Sequence, residues 1–147
     1  MEDIKKIKPH EVMACWYCAG NRRSEMTDLR PMDIRGVNFG PYGISNGVLK
    51  GPLVRDVLLS IGVDLESVKN LHFATMGADS DIHDPVETSI PMSRVLDPKN
   101  EVIFAYSING VPLPEDHGFP VKMFIPGFVG IRSTKWLRRV TFLEKET

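Results

Sequence analysis

Two cysteines, Cys15 and Cys18, flank Trp16-Tyr17, and the second runs on into Ala19-Gly20-Asn21-Arg22-Arg23. A Cys-x-x-Cys pair does thiol–disulfide chemistry when a helix N-terminus lowers the pKa of its first thiol. Here Glu11 to Tyr17 is an apolar and aromatic run, which predicts a strand that empties into a loop at Cys18. Side chains three apart on a strand point to opposite faces, so the two sulfurs diverge rather than share a bond or a zinc ion. Structural zinc needs four ligands, and His10, His72, His83 and His117 are scattered singly. Cys18 therefore stands by itself at a strand exit, where the charges of Arg22 and Arg23 favour the thiolate, the form that binds soft metals. For any single cysteine the plain alternative is a buried structural thiol.

The elements that must hold this loop follow from pattern. From Arg30 to Gly51 the breakers Pro31, Gly36, Gly40, Pro41, Gly43, Gly47 and Gly51 predict an irregular excursion with no long regular element. Pro52 suits the first position of an amphipathic helix in which Leu53, Val54, Val57, Leu58 and Ile61 share a face and Gly62 ends the run. Asn70 to Thr75, Glu101 to Ser107, Val121 to Ile125 and Trp136 to Phe142 predict strands, and Asn109-Gly110 predicts a hairpin turn. Met92 to Leu96 reads as a short helix closed by Asp97-Pro98, and Leu113 to Pro120 and Pro126 to Ser133 as punctuated loops. The fold class is mixed α+β with strands dominant.

At 147 residues the chain fits one unit able to bury roughly 70 % of its unfolded surface, and no repeat or Pro/Ser linker divides residues 1–147. Hydrophobic residues at 42 % and charged residues at 25 % are a globular balance. Eighteen basic against nineteen acidic side chains give a formal charge of −1, so there is no global positive field for a nucleic acid or an anionic membrane, and any anion site must be local. The longest apolar runs, Val12 to Tyr17 and Met123 to Ile131, fall far short of the roughly 20 residues of a membrane span, and Met1 to Lys8 carries no signal core.

Cys18-Ala19-Gly20-Asn21-Arg22-Arg23-Ser24-Glu25-Met26 resembles the molybdenum-ligating segment of the sulfite oxidase family. The likeness continues in order through Ser89-Ile90-Pro91, Leu96-Asp97-Pro98, Asn109-Gly110, Pro112-Leu113-Pro114, Asp116-His117-Gly118-Phe119-Pro120-Val121, Pro126-Gly127, Gly130, Arg132-Ser133 and Lys135-Trp136-Leu137. It runs from about His10 to Val140 and corresponds to the later part of the family's molybdopterin domain. The expected fold is thus a partial, strand-dominated sulfite oxidase-like domain, truncated at both flanks.

The resemblance implies a molybdenum–molybdopterin cofactor (Moco). Cys18 would be the metal's thiolate ligand, and its soft sulfur suits that role. Arg23 would face the oxyanion substrate, since a guanidinium fork matches two oxygens, while Arg22 would support the loop or the cofactor. Phe39 would line the substrate pocket where the family carries a tryptophan, with the loss of an indole N–H. Asp79, His117, Ser133, Thr134 and Lys135 align with positions that hold the pterin and its phosphate, a lysine and free backbone N–H groups being suited to phosphate. Lys122 stands where many relatives have a cofactor-contacting arginine, keeping the charge but not the bidentate geometry. Each also has a plain reading: Asp79 and Asp81 in a polar turn, His117 bracing the Pro114 to Pro120 loop, Lys135 as a solvated strand residue.

The family places further cofactor and substrate residues before the cysteine and beyond the last residue of this chain, so part of the substrate cage lies outside it. Open sheet edges are then expected, with a complementing chain or a second copy as partner. The implied reaction is oxidation of sulfite to sulfate, with electrons passed to a separate acceptor such as a cytochrome or haem domain, since no haem-binding segment is evident in this chain. Ser24-Glu25-Met26 leans to the sulfite branch, whereas a nitrate reductase would usually show a lysine and a Glu-Gln-Asn run. A nitrate reductase-type domain, a non-catalytic remnant and a thiol redox module stand as alternatives. Relatives occupy the mitochondrial intermembrane space or the periplasm, and no targeting signal is evident here.

Overall fold

The structure is a computed structural model and describes residues 1–29, 36–77 and 86–147. After the short helix α1 (Glu2–Lys6), strand β1 (Pro9–Tyr17) pairs antiparallel with β2 (Ile44–Pro52) over its whole length, from Pro9 opposite Pro52 to Tyr17 opposite Ile44. Helix α2 (Arg23–Leu29) lies between them in sequence, and helices α3 (Val54–Ser60) and α4 (Leu65–Val68) follow. Then come β3 (His72–Gly77), β4 (Glu87–Pro91), helix α5 (Met92–Leu96), β5 (Ile103–Ala105), β6 (Ser107–Ile108), β7 (Val111–Pro112), β8 (Lys122–Phe124) and β9 (Leu137–Leu143). All pairing is antiparallel, in sheets ordered β1-β2-β6-β7 and β4-β3-β9 and a ribbon β5-β8.

The ribbon is the middle layer. Successive strand residues face opposite ways, so Ile103 and Ala105 of β5 and Phe124 of β8 join Val12, Leu49 and Trp16, while Val102, Phe104, Met123 and Ile125 join Val54, Leu58, Phe73, Ile90, Met92 and Val95. Ile103, Phe124 and Met123 are fully buried. Burying such a side chain contributes roughly 2 kcal/mol, and a strand covered on both faces reads as a continuous apolar run. Lys122 falls on the same face as Phe124, toward β1, and is the only charged side chain in the described part of that ribbon.

The expected strands and the Met92–Leu96 helix form. Asn109 (φ +49°) and Gly110 (φ +82°) make the predicted turn with left-handed backbone at both central positions. The run from Glu101 to Ser107 divides at Tyr106, whose N–H donates to Lys50 O at 2.9 Å, so β5 lies against β8 and β6 against β2. Pro52 ends β2 rather than opening α3, for which Leu53 is the N-cap.

The expectation of an irregular Arg30 to Gly51 stretch holds for 36–43 but is corrected for its second half, which is the nine-residue strand β2. Its glycines mark close approach rather than breaks. A Cβ at Gly47 would lie 3.0 Å from Asn109 Oδ1, and one at Gly51 only 1.9 Å from the Phe104 carbonyl oxygen. Backbone cannot move aside as a side-chain tip can, so Gly51→Ala should destabilise the fold by about 2–3 kcal/mol. A urea or thermal unfolding series checks this, with an unchanged midpoint as the contrary result.

Candidate functional site

Strand β1 delivers Cys18 to its own C-terminal end, where the thiol is free and exposed. The Cys18 N–H donates to Gly43 O at 2.8 Å, the Asn21 N–H to Cys18 O at 3.0 Å, and the Gly20 N–H lies 3.4 Å from Sγ. The Asn21 side-chain oxygen accepts from the Gly43 N–H at 3.0 Å, which fastens the cysteine loop to the start of β2 twice over. Cys15 is also free and exposed, paired in register with Asn46. Among the described residues, no three His, Cys, Asp or Glu side chains converge as a metal cage.

Arg23 and Phe39 are brought to this loop. The Arg23 guanidinium donates to Val37 O at 3.0 Å and fills space that side chains would otherwise take: a Cβ at Gly20 would stand 2.6 Å from its Nη2, and one at Gly36 (φ +108°) 1.9 Å from its Nη1. The Phe39 ring fills the same kind of gap beside Gly20 and Gly43, at 3.3 and 2.5 Å from their missing Cβ positions. Arg22 is used differently. Its backbone is left-handed (φ +64°), and its guanidinium is paired with the Glu25 carboxylate, with Nε–H donating at 2.9 Å. That hydrogen bond raises the arginine's pKa and lowers the glutamate's. Arg22 thus braces the first turn of α2.

A second cluster surrounds Gly118. A Cβ there (φ +104°) would be 2.9 Å from Lys135 Cβ and 3.2 Å from Lys122 Cβ. His117, the residue before it, is exposed at the end of a 3₁₀ turn, Glu115–His117. Lys135 Nζ donates to Asp116 O at 2.8 Å and sits 4.2 Å from the centre of the Trp136 ring, while Trp136 Nε1 donates to Glu115 O. The lysine and the tryptophan together clamp the His117 loop. Lys122 is only 6 % exposed, and its ammonium lies 5.7 Å from the Trp16 ring, two residues before Cys18. No carboxylate meets it among the described residues. Burial, with the like charge of Lys135, lowers its pKa to about 8.

The two clusters adjoin. A Cβ at Gly130 would lie 3.0 Å from Tyr17 O and 3.7 Å from Cys18 N, so the 3₁₀ turn Gly130–Arg132 packs on the backbone just before the thiol and leads straight into Ser133, Thr134 and Lys135. Ser133 and Thr134 are turned inward: Ser133 Oγ accepts from Ile125 N–H at 3.1 Å, and Thr134 Oγ1 shares a 2.8 Å hydrogen bond with Thr75 Oγ1. The expectation of a free backbone N–H at Ser133 is revised, because that group donates to Gly130 O. Asp79, with Asp81 and His83, lies outside the described residues; the segment begins after Gly77, whose missing Cβ would be 2.9 Å from Lys135 O. The glycines at 20, 36, 43, 118 and 130 and the Trp16 ring read from sequence as turns or motif positions and not as site residues. Glycine spacing reads as punctuation until the partner of each close approach is known.

Among the described residues, a buried ammonium with no carboxylate beside it, a second lysine next to it, an exposed thiol under an N–H and a guanidinium bonded to a backbone carbonyl suit a group with one soft metal and anionic substituents. The model of the family described as oxidoreductase molybdopterin binding domain matches residues 1–147. The chain belongs to that family. Within it, the chain is 45 % identical over 143 residues to sulfite oxidase of Gallus gallus, covering 97 % of this chain and 31 % of that protein. It is 38 % identical over 147 residues to the mitochondrial sulfite oxidase of Drosophila melanogaster, covering all of this chain and 25 % of that protein. Nitrate reductase [NADH] 2 of Phaseolus vulgaris is 39 % identical over 150 residues, 17 % of its length. Among solved structures, the sulfane dehydrogenase SoxCD of Paracoccus pantotrophus superposes with a TM-score of 0.79 at 26 % identity, over 99 % of this chain and 34 % of that one. This is a sulfite oxidase-like molybdopterin-binding domain, and it spans about a quarter to a third of those sulfite oxidases.

Lys122 gives a pH signature. Its folded pKa lies below the unfolded value, so between about pH 8 and 10.5 the unfolded chain binds more protons. The ligand-free fold should therefore gain stability as pH rises through that window, by about 3 kcal/mol at most. Lys122→Met should flatten the slope and raise stability at pH 7. Chemical unfolding from pH 7 to 10 reads both, and an unaltered slope in the variant would contradict the assignment.

Proposed function

We propose that this chain is the metal-ligating and substrate-facing part of a sulfite oxidase-type molybdenum oxidoreductase, with sulfite as substrate. The observation that carries the reading is the convergence of Cys18, Arg23 and Phe39 on one glycine-lined loop. When bound, the molybdopterin centre supplies two-electron oxygen-atom transfer between the metal and a small oxyanion.

The chain's own residues set the conditions. Cys18 would hold the metal through its exposed sulfur, which the Gly20 N–H approaches at 3.4 Å. Arg23 keeps its guanidinium fixed by Val37 O and by the two glycine gaps, so its remaining N–H groups form a preorganised charge for the anion. Phe39 gives the pocket an apolar wall that excludes water and strengthens the arginine's field. His117, Lys122 and Lys135, with Asp79 and with Ser133 and Thr134 through the backbone segment they anchor, would hold the pterin side, where the two lysines would balance the charge of a phosphate.

Sulfite is favoured over nitrate by Ser24-Glu25-Met26, in which Glu25 takes up the charge of Arg22 and leaves Arg23 for the substrate. Electrons leave to an acceptor on another domain or polypeptide, such as a cytochrome. The names of the relatives support a mitochondrial place, and the intermembrane space is what the family resemblance adds.

The test uses protein made in a host that supplies the cofactor. Arg23→Lys keeps the charge but loses the fork, and should raise KM for sulfite about 10- to 100-fold while molybdenum content stays at the wild-type level. Metal-loaded protein that reduces nitrate and leaves sulfite untouched would overturn the substrate assignment. An unchanged KM in the variant would remove Arg23 from it.

A further inference from the structure

Arg132 stands in the cofactor segment of the sequence but has no part in the site as described so far. Its side chain is about a quarter exposed, and its hydrogen bonds go to two other elements. Nη1 donates to Thr88 Oγ1 at 3.0 Å and to the Ser89 carbonyl, both on β4, and Nη2 donates to the Glu146 carboxylate at 2.8 Å. Ser89 Oγ accepts in turn from the Thr147 N–H at 3.1 Å, so the residues that follow β9 are tied to the same two positions of β4.

The next residues continue the pattern. Thr88 is opposite Thr75 in the β3–β4 register, and it is Thr75 that bonds Thr134. Ser133 Oγ meets Ile125 N–H, and Thr134 O accepts from Met123 N–H at 2.8 Å. Arg132 is therefore bonded to β4, Ser133 to the end of β8 and Thr134 to both β3 and β8, and Lys135 comes out at Gly118 beside Lys122. An exposed Arg–Glu pair alone would do little. A guanidinium with acceptors on both a buried strand and a terminal segment restricts where the backbone after it can go.

We propose that Arg132 is a positioning residue: it clamps the segment Ser133–Lys135 to β4 and, through Glu146, to the chain after β9, and so sets where Lys135 meets the cofactor. The inference rests on the proposed reading of Ser133, Thr134 and Lys135 as cofactor-binding. The clamp itself can be measured without any cofactor.

The experiment is amide hydrogen exchange on the ligand-free chain, wild type against Arg132→Gln, Arg132→Lys and Glu146→Gln. The reporters are the Met123 and Ile125 amides, whose acceptors are Thr134 O and Ser133 Oγ. The controls are Cys18 and Tyr106, bonded to Gly43 O and Lys50 O. Arg132→Gln should speed exchange at the reporters at least about tenfold and leave the controls unchanged, with Lys and the Glu146 variant in between, since each keeps part of the network. In protein loaded with cofactor, Arg132→Gln should retain about 10- to 100-fold less tightly held molybdopterin, with partial rescue by Lys.

Wild-type exchange at Met123 and Ile125 in all three variants overturns the proposal. If Arg132→Gln unfolds the whole chain, equal loss of protection at reporters and controls in the two milder variants does the same. The expected exchange pattern in a chain that never acquires molybdopterin supports the clamp and sinks the proposed function instead.

Discussion

Three backbone segments meet at the end of β1 with almost no side chain between them, and the place of the Cys18 sulfur follows from that contact. The Cys18 N–H is held by Gly43 O, and the Tyr17 carbonyl lies against Gly130. A Cβ at Gly130 would force the 3₁₀ turn outward, and with it the run to Lys135. The thiol at one end of the site and the lysines at the other are therefore set by one backbone packing arrangement. The β1–β2 register fixes the strand end along its axis, since a slip by one residue would turn Val12 and Trp16 out of the core and point the wrong residues at the loop.

The electrostatics run against the chain's overall balance. A formal charge of −1 conceals three cations, Arg23, Lys122 and Lys135, whose described surroundings supply carbonyl oxygens and aromatic faces instead of carboxylates. Arg22, only one residue from Arg23, is by contrast neutralised by Glu25. A protein that buries an uncompensated ammonium gives up stability, and the lowered pKa of Lys122 expresses that penalty. An anionic ligand would relieve it, so binding and folding are linked at this side chain.

Much of the architecture was legible in the sequence because it rests on local signals. Alternation and apolar runs located the strands, Asn109-Gly110 the hairpin, and Cys18 with its arginines the candidate site. Signals failed where tertiary contacts decide. Helix α2 buries no residue, so it leaves no apolar periodicity to read. Strand β4 hides Thr88 and Ser89, polar residues that become acceptable in the core only because Arg132 and Thr147 bond them. Gly47 and Gly51 read as breakers until Asn109 and the Phe104 carbonyl are seen to need the space. The inward turn of Ser133 and Thr134 could not be read either, since a Ser-Thr-Lys string in a loop looks the same whether its hydroxyls face a ligand or a strand.

The central claim is that Cys18 is the protein's bond to molybdenum. It is tested most directly by elemental analysis of the chain purified from a host that makes the eukaryotic form of the cofactor, with wild type beside Cys18→Ser. Near-stoichiometric molybdenum is expected in the wild type and its loss in the variant, with the fold intact by circular dichroism. Equal metal in both proteins, or none in either, would contradict it.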